Sequence, residues 1–258
     1  MPNKIKNLKS DMDKISQEYV DYFMDLSKYW NGTKKRGIWS KYDLKIFKQY
    51  KKFFNTYEQP YPDITTFNPF IFYNQYGLKD LPESIYNQID GKTIIDVGEY
   101  NGANAILFNQ IFPNSKILVY EPLSIHLNKL RKILAYDNFD NKIVPIQKGL
   151  GDKEKITNIS FVETEAGKIT TLDKELAEKP EDVGLIKMDV EGFETSVVNG
   201  AIKTIQKYKP ILAIAICNRP EDFFEMKDKI KNLNPNYKFM IRRSEAIVPQ
   251  ADLVLIAY

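Results

Sequence analysis

From Thr93 onward the chain alternates between short unbroken apolar runs and longer segments whose apolar residues recur every three or four positions. Thr93-Ile94-Ile95-Asp96-Val97 is a β-branched run bounded by Asp90-Gly91 and Gly98, the pattern of a strand buried on both faces. After Gly102, apolar residues at 103, 106, 107, 108 and 111 mark one helical face. The pattern predicts strands at 93–97, 116–120, 142–147, 184–188 and 211–216. Helices are predicted at 102–112, 123–136, 194–207 and about 221–232, with 148–183 largely a connecting region. Two closing runs, 237–242 and 252–258, lie close enough in sequence to pair antiparallel at a sheet edge.

The first sixty residues differ in character. Ile5, Leu8, Met12, Ile15, Tyr19, Tyr22, Leu26 and Tyr29 recur at alternating spacings of three and four, an a/d seam on one continuous helix. Such a seam either pairs with a second copy, making a homodimer through the N-terminal helix, or lies on its own domain. Asn31-Gly32 breaks the run, and Trp39, Tyr42, Ile46, Tyr50, Phe53 and Tyr57 then form the apolar face of a second helix. Gln59-Pro60-Tyr61-Pro62 marks a boundary, because each proline stops a helix and constrains its predecessor. The chain therefore divides into an N-terminal helical region, 1–62, and an α/β domain, 63–258. The aromatics Phe67, Phe70, Phe72, Tyr73 and Tyr76 either line a pocket mouth or pack the cap onto the sheet.

Composition narrows the function classes. A net charge of +3 on 258 residues gives no argument for nucleic acid or a membrane surface as the main partner. The one cysteine, Cys217, excludes an internal disulfide framework and fits a reducing, cytoplasmic setting. No stretch approaches the length of a membrane span, and the N-terminus is Lys- and Asp-rich rather than apolar.

Strand, glycine loop and helix around Gly98 form the opening βα unit of a nucleotide-binding domain. A dinucleotide site uses Gly-x-Gly-x-x-Gly, so that backbone can close on a pyrophosphate. Here Tyr100 occupies the middle glycine position. Asp96, at the strand tip, disfavours a phosphate and suits a cationic amine, such as the amino-acid tail of S-adenosylmethionine. Glu121 ends the next strand at the distance that suits a ribose hydroxyl pair. Seven strands with a hairpin-like end are the layout of a Rossmann-like class I methyltransferase, here with an N-terminal helical extension.

Five segments carry a closer resemblance: Asp96-Val97-Gly98, Tyr120-Glu121-Pro122, Gly149-Leu150-Gly151-Asp152, Thr171-Leu172-Asp173, and Ile186-Lys187-Met188-Asp189-Val190-Glu191-Gly192-Phe193-Glu194. Together they resemble the FkbM family of S-adenosylmethionine-dependent methyltransferases over about residues 90–258. The resemblance implies O-methylation of a hydroxyl on a small-molecule acceptor, often a sugar, sugar nucleotide or polysaccharide precursor. It places Asp96, Gly98 and Glu121 in the cofactor site and Asp189 beside the transferred methyl group. The loop residues Glu99, Tyr100, Asn101 and Gly102, with Pro122 and Gly149, complete the expected cofactor contacts. Where relatives often carry Tyr-His-Lys-Pro-Glu-Asp, this chain reads Cys217-Asn218-Arg219-Pro220-Glu221-Asp222, and a histidine pair expected near Arg242-Arg243 is absent.

Methyl transfer from a sulfonium is an in-line displacement, so the protein supplies positioning, exclusion of water and an acceptor for the proton. The one histidine, His126, is expected at the adenosine end as a surface or cap residue, which leaves carboxylates as candidate bases. Asp189 and Glu191 are the candidates, and Asn218 is a candidate second oxygen ligand, with Asp189, for a hard cation such as magnesium. Whether a divalent metal is used is left open by these residues. Lys187 alternates with Asp189 and has an open orientation, including one toward a helix. Thr170-Thr171-Leu172-Asp173 reads as a helix cap. Arg219, Arg242 and Arg243 are weaker candidates for gripping an anionic acceptor. The rival functions are a dinucleotide-dependent oxidoreductase and a non-catalytic binding protein on the methyltransferase fold.

Overall fold

The computed structural model describes residues 2–30, 41–137, 139, 142–160, 164–244 and 253–258, without the side chains of 26–30, 41–47, 160 and 164. Among the described residues there are ten strands: β1 (Thr93–Val97), β2 (Ile117–Tyr120), β3 (Ile143–Ile146), β4 (Gly149–Leu150), β5 (Lys155–Ser160), β6 (Thr164–Thr170), β7 (Val183–Met188), β8 (Ile211–Ala215), β9 (Phe239–Arg243) and β10 (Leu253–Ala257). Seven of them form one sheet in the order β3-β2-β1-β7-β8-β10-β9. The neighbours from β3 through β8 run parallel, and β10 pairs antiparallel with β9, as the two closing runs predicted. Strands β1, β7 and β8 are buried at every position, which is why they read as unbroken apolar runs rather than alternating ones.

The chain divides into two compact units, one comprising residues 1–58, 68–80 and 215–258, the other 59–67 and 81–214. In the second unit the sheet is flanked by α1 (Glu83–Ile89), α2 (Ala103–Ile111), α3 (Ser124–Tyr136), α4 (Leu172–Glu178), α5 (Glu194–Asn199) and α6 (Ile202–Tyr208). The region expected to be a connection holds a second, three-stranded sheet, β4-β6-β5, in which β5 and β6 make an antiparallel hairpin register. Its strands are polar and Ile156 is 80% exposed, so no apolar face announces them in the sequence. The single helix predicted at 194–207 is two helices. A Cβ on Gly200 would lie 1.9 Å from the Gly151 carbonyl oxygen, so the chain passes backbone to backbone there. The Asp173 carboxylate then accepts the N–H groups of Lys203 and Thr204 and caps the second helix. Thr171 caps its own helix by accepting the Lys174 N–H at 3.1 Å, as read from the sequence.

In the first unit the continuous N-terminal helix is replaced by Pro2–Lys9 and Lys14–Trp30. Asp11 adopts φ 58°, and Asp13 accepts the Ser16 N–H and hydroxyl, an N-cap that restarts the helix. Met12 forms a single parallel bridge to Phe239, so the break feeds the sheet edge. Leu8, Met12 and Tyr19 of the expected seam are buried within this chain. The Lys227 ammonium, itself buried, takes the carbonyls of Asn7, Leu8 and Ser10 and closes the first helix. The seam side chains Leu26 and Tyr29, the Asn31-Gly32 break, Trp39, Tyr42, Ile46 and Asp252 lie outside the described residues. A helix at Lys41–Phe54 follows, and Tyr50 packs edge-on against Phe70 and Tyr73. Among the described residues no helix is long and apolar enough to cross a membrane.

Candidate functional site

The sheet winds from β1 to β2 and β3 in one direction and from β1 to β7 in the other. That reversal is the topological switch at which open α/β sheets leave a crevice outside the carboxyl ends of their strands. The backbone is knitted tightly there. Gly98 donates its N–H to the Tyr120 carbonyl at 2.9 Å, and Asp189 donates its own to Val97 at 3.0 Å. Gly98 has φ +80°, and a Cβ on it would lie 1.9 Å from the Asp189 carbonyl oxygen. Glycine is required for both reasons, and the fit brings Gly98 and Asp189 together.

Beneath this contact lies a closed charge cluster. β1 and β7 pair Asp96 with Lys187, both wholly buried, with Nζ 3.1 Å from Oδ1. The same ammonium donates to the Gly98 carbonyl at 2.6 Å and reaches that of Val97 at 3.5 Å. Burial works against its charge, but Asp96, Glu99 and Asp189 hold the Lys187 pKa above the ordinary lysine range. Glu99, 1% exposed, accepts the Asn104 N–H at 3.2 Å through Oε1. Among the described residues Glu99 Oε2 and Asp96 Oδ2 meet no hydrogen-bond donor, and Asp96 Oδ1 faces only the Lys187 ammonium at 3.1 Å. Burial and the Asp96 charge push the Glu99 pKa well above its ordinary value. Asp96 therefore already has its cation within the fold. Lys187 was not assigned to the site from sequence, because strand alternation does not say which neighbour a side chain meets.

The loop above is held by its own side chains. Asn101 accepts the Ala103 N–H at 3.2 Å, and Gly102, with φ +95°, caps the helix that follows. Tyr100 is 51% exposed, packs edge-on against His126 with ring centroids 4.7 Å apart, and carries the Lys129 ammonium 4.5 Å above its ring. His126 is therefore buried between Tyr100 and Glu121, whose carboxylate lies 3.5 Å away, rather than at the surface as expected. Burial, with a contribution from Lys129, lowers its pKa and favours the neutral ring. Glu121 accepts the Leu123 N–H at 2.9 Å, and burial pushes its pKa up to about 7. Gly149 packs within 3.4 Å of Pro122, counted from where its Cβ would stand, so β4 lies against the end of β2.

On the other side of the switch, Asp189 is half-buried and Glu191 is exposed. Glu191 holds φ 53° and Gly192 φ 92°, two successive left-handed residues. A non-glycine residue there stores strain of the kind found at ligand sites. Partial desolvation and the Asp189 charge raise the Glu191 pKa. The buried Glu194 accepts the Val190 N–H at 3.0 Å and steadies the turn. Asp96, Gly98 to Gly102, Glu121, Pro122, Gly149, Asp189 and Glu191 all belong to the second unit, whereas Asn218 belongs to the first. Arg242 and Arg243 are internal to that first unit. Arg242 pairs with Asp13 and Asp80, and Arg243 lies 5.5 Å from the rings of Tyr19 and Tyr22. Neither guanidinium faces outward to grip an acceptor. Among the described residues no group of three or more His, Cys, Asp or Glu side chains is placed to hold a metal ion.

No curated protein matches the sequence. Among solved structures, a methyltransferase FkbM from Methylobacillus flagellatus KT is similar at TM-score 0.69 and 17% identity. The match covers 100% of this chain and 58% of that one, so the chain spans little more than half of its length. Fibrillarin from Aeropyrum pernix, with natively bound S-adenosyl-L-methionine, matches at TM-score 0.46 and 14% identity over 71% of each chain. An rRNA methylase from Streptococcus thermophilus matches at 0.46 and 13% over 67% of this chain and 90% of that one. Scores at that level carry no argument. The sheet order and the first of these likenesses define the Rossmann-like class I methyltransferase fold. The methyltransferase FkbM domain matches residues 96–239, more than half of the chain, and the chain belongs to that family.

Proposed function

We propose that this chain transfers a methyl group from S-adenosylmethionine to an oxygen of a small-molecule acceptor, a sugar, sugar nucleotide or related polysaccharide precursor. The observation that supports this most is the contact of Gly98 with the Asp189 carbonyl at the β1/β7 switch. It sets the glycine loop and the backbone of Asp189 side by side at the carboxyl ends of β1 and β7, where a sulfonium donor and a hydroxyl acceptor would have to meet. The residues fit the cofactor. The loop from Gly98 to Gly102 would receive the methionine tail, Glu121 the ribose hydroxyls, and Pro122 and Gly149 the adenine end. When bound, the cofactor supplies the electrophilic methyl group.

The chain's own residues do the rest. Asp189 is the group placed to take the acceptor proton, and Glu191, with its raised pKa, lies two residues on. The sugar preference rests on the family resemblance. A cytoplasmic setting accords with the single cysteine, Cys217.

The test is transfer of a tritiated methyl group from S-adenosylmethionine to a panel of monosaccharides and nucleotide sugars. Transfer is expected, with Asp189→Asn losing it about 100-fold or more while still binding S-adenosylhomocysteine. Cofactor binding with no transfer to any acceptor would favour a non-catalytic role. Transfer undiminished in Asp189→Asn would remove Asp189 as the base.

A further inference from the structure

The strand-tip cluster contains a cation that the reaction does not call for. Lys187 has three ammonium protons and three acceptors: Asp96 Oδ1 at 3.1 Å, the Gly98 carbonyl at 2.6 Å and the Val97 carbonyl at 3.5 Å. Two of the three are backbone carbonyls, Val97 at the end of β1 and Gly98 at the start of the loop, and the side chain has no exposure to solvent. Besides facing Asp96, the ammonium donates to the Gly98 carbonyl, the shortest of its three contacts. Val97 is also the acceptor for the Asp189 N–H, so Lys187 joins the end of β1 to the end of β7 at the point where Gly98 meets Asp189.

We propose that Lys187 is a positioning residue for cofactor binding, one that fixes the Gly98–Glu99 peptide by holding its carbonyl inward. The peptide is trans and planar, so a carbonyl held toward Lys187 turns the Glu99 N–H to the opposite side. That N–H is then presented to the carboxylate of the cofactor's methionine tail. Asp96 acts as the counter-ion that lets a lysine stand in this buried place. Strand register does the aiming, since Asp96 lies opposite Lys187. The inference rests on the methyltransferase reading of the site.

Lys187→Met leaves Asp96 buried without its cation, so it is compared with the double variant Lys187→Met/Asp96→Leu, which removes both charges at similar volume. Each is titrated with S-adenosylhomocysteine by calorimetry, and its thermal unfolding is measured alongside. The double variant is expected to unfold near the wild-type temperature, yet to bind at least tenfold more weakly. Recovery of both stability and affinity in the double variant would reduce Lys187 to charge compensation and overturn the proposal.

If neither variant folds, wild-type protein labelled with 13C at lysine Cε decides. The Lys187 signal is recognised because it stays protonated at a pH where exposed lysines titrate. It is expected to shift when S-adenosylhomocysteine binds, and no shift at saturation would overturn the proposal. Failure of the wild type to bind S-adenosylhomocysteine at all would instead defeat the functional reading on which the inference stands.

Discussion

Two buried cations, one in each compact unit, are paired with carboxylates in different ways. Lys187 and Asp96 are both fully enclosed, and the ammonium also bonds the backbone of the glycine loop. Arg242 is 7% exposed, but its partners Asp13 and Asp80 are 39% and 36% exposed. If the arginine is lost, water can reach both acids. If the lysine is lost, nothing reaches Asp96. The arginine pair fastens an N-terminal helix to its sheet edge, with Ser16 accepting the Ile241 N–H at 2.8 Å. The lysine pair ties the glycine loop after β1 to β7. Burial of the partner, more than the bond lengths, decides how much each pair matters.

The comparison breaks most visibly in Lys187→Met. Stranding a buried carboxylate costs about 3–5 kcal/mol, and urea denaturation should show a loss of unfolding free energy of that size. Arg242→Met should cost less, about 1–2 kcal/mol, because surface-linked acids regain hydration. Equal losses in the two variants would mean that partner exposure is not what separates them.

Acid and base should also move the two regions in opposite directions. Burial opposes ionisation of Asp13, but the Ser16 N–H and Arg242 hold its pKa below 3.8. Its contribution is present above the unfolded value and is lost as the pH falls through the lowered one. Glu121 is raised from 4.5 to about 7, so folding favours its protonated form. Its contribution is full below about pH 4.5 and is lost as the pH rises through about 7. Stability measured from pH 4.5 to 7.5 should carry a falling component that Glu121→Gln removes. A Glu121→Gln curve parallel to the wild type would contradict that assignment.

Much of the second unit was legible because its chemistry is local. Asp96 at a strand end, Gly98 after it and Glu121 at the next strand end all follow from short-range pattern, and the structure places them around one switch point. Lys187 was not legible in the same way. Its partner lies 91 positions earlier, and only the β1/β7 register, Asp96 opposite Lys187, joins them. The hairpin at Lys155–Ser160 and Thr164–Thr170 escaped because its exposed faces erase the apolar alternation. The break in the N-terminal helix did leave a signal. Asp13 followed by Ser16 has the spacing of an N-cap, but the longer heptad pattern overshadowed it. His126 looked like a surface residue because nothing local predicts that Tyr100 and Glu121 converge on it.

The proposed function requires the contact between Gly98 and the Asp189 carbonyl to shape a cofactor site. Calorimetric titration of S-adenosylhomocysteine into the wild type and Gly98→Ala, each shown to be folded by its unfolding transition, tests it most directly. A Cβ placed 1.9 Å from the Asp189 oxygen must push the loop and β7 apart. The account predicts saturable binding by the wild type and loss of at least 100-fold in affinity in Gly98→Ala. Absence of binding by the wild type, or equal binding by the two proteins, would contradict it.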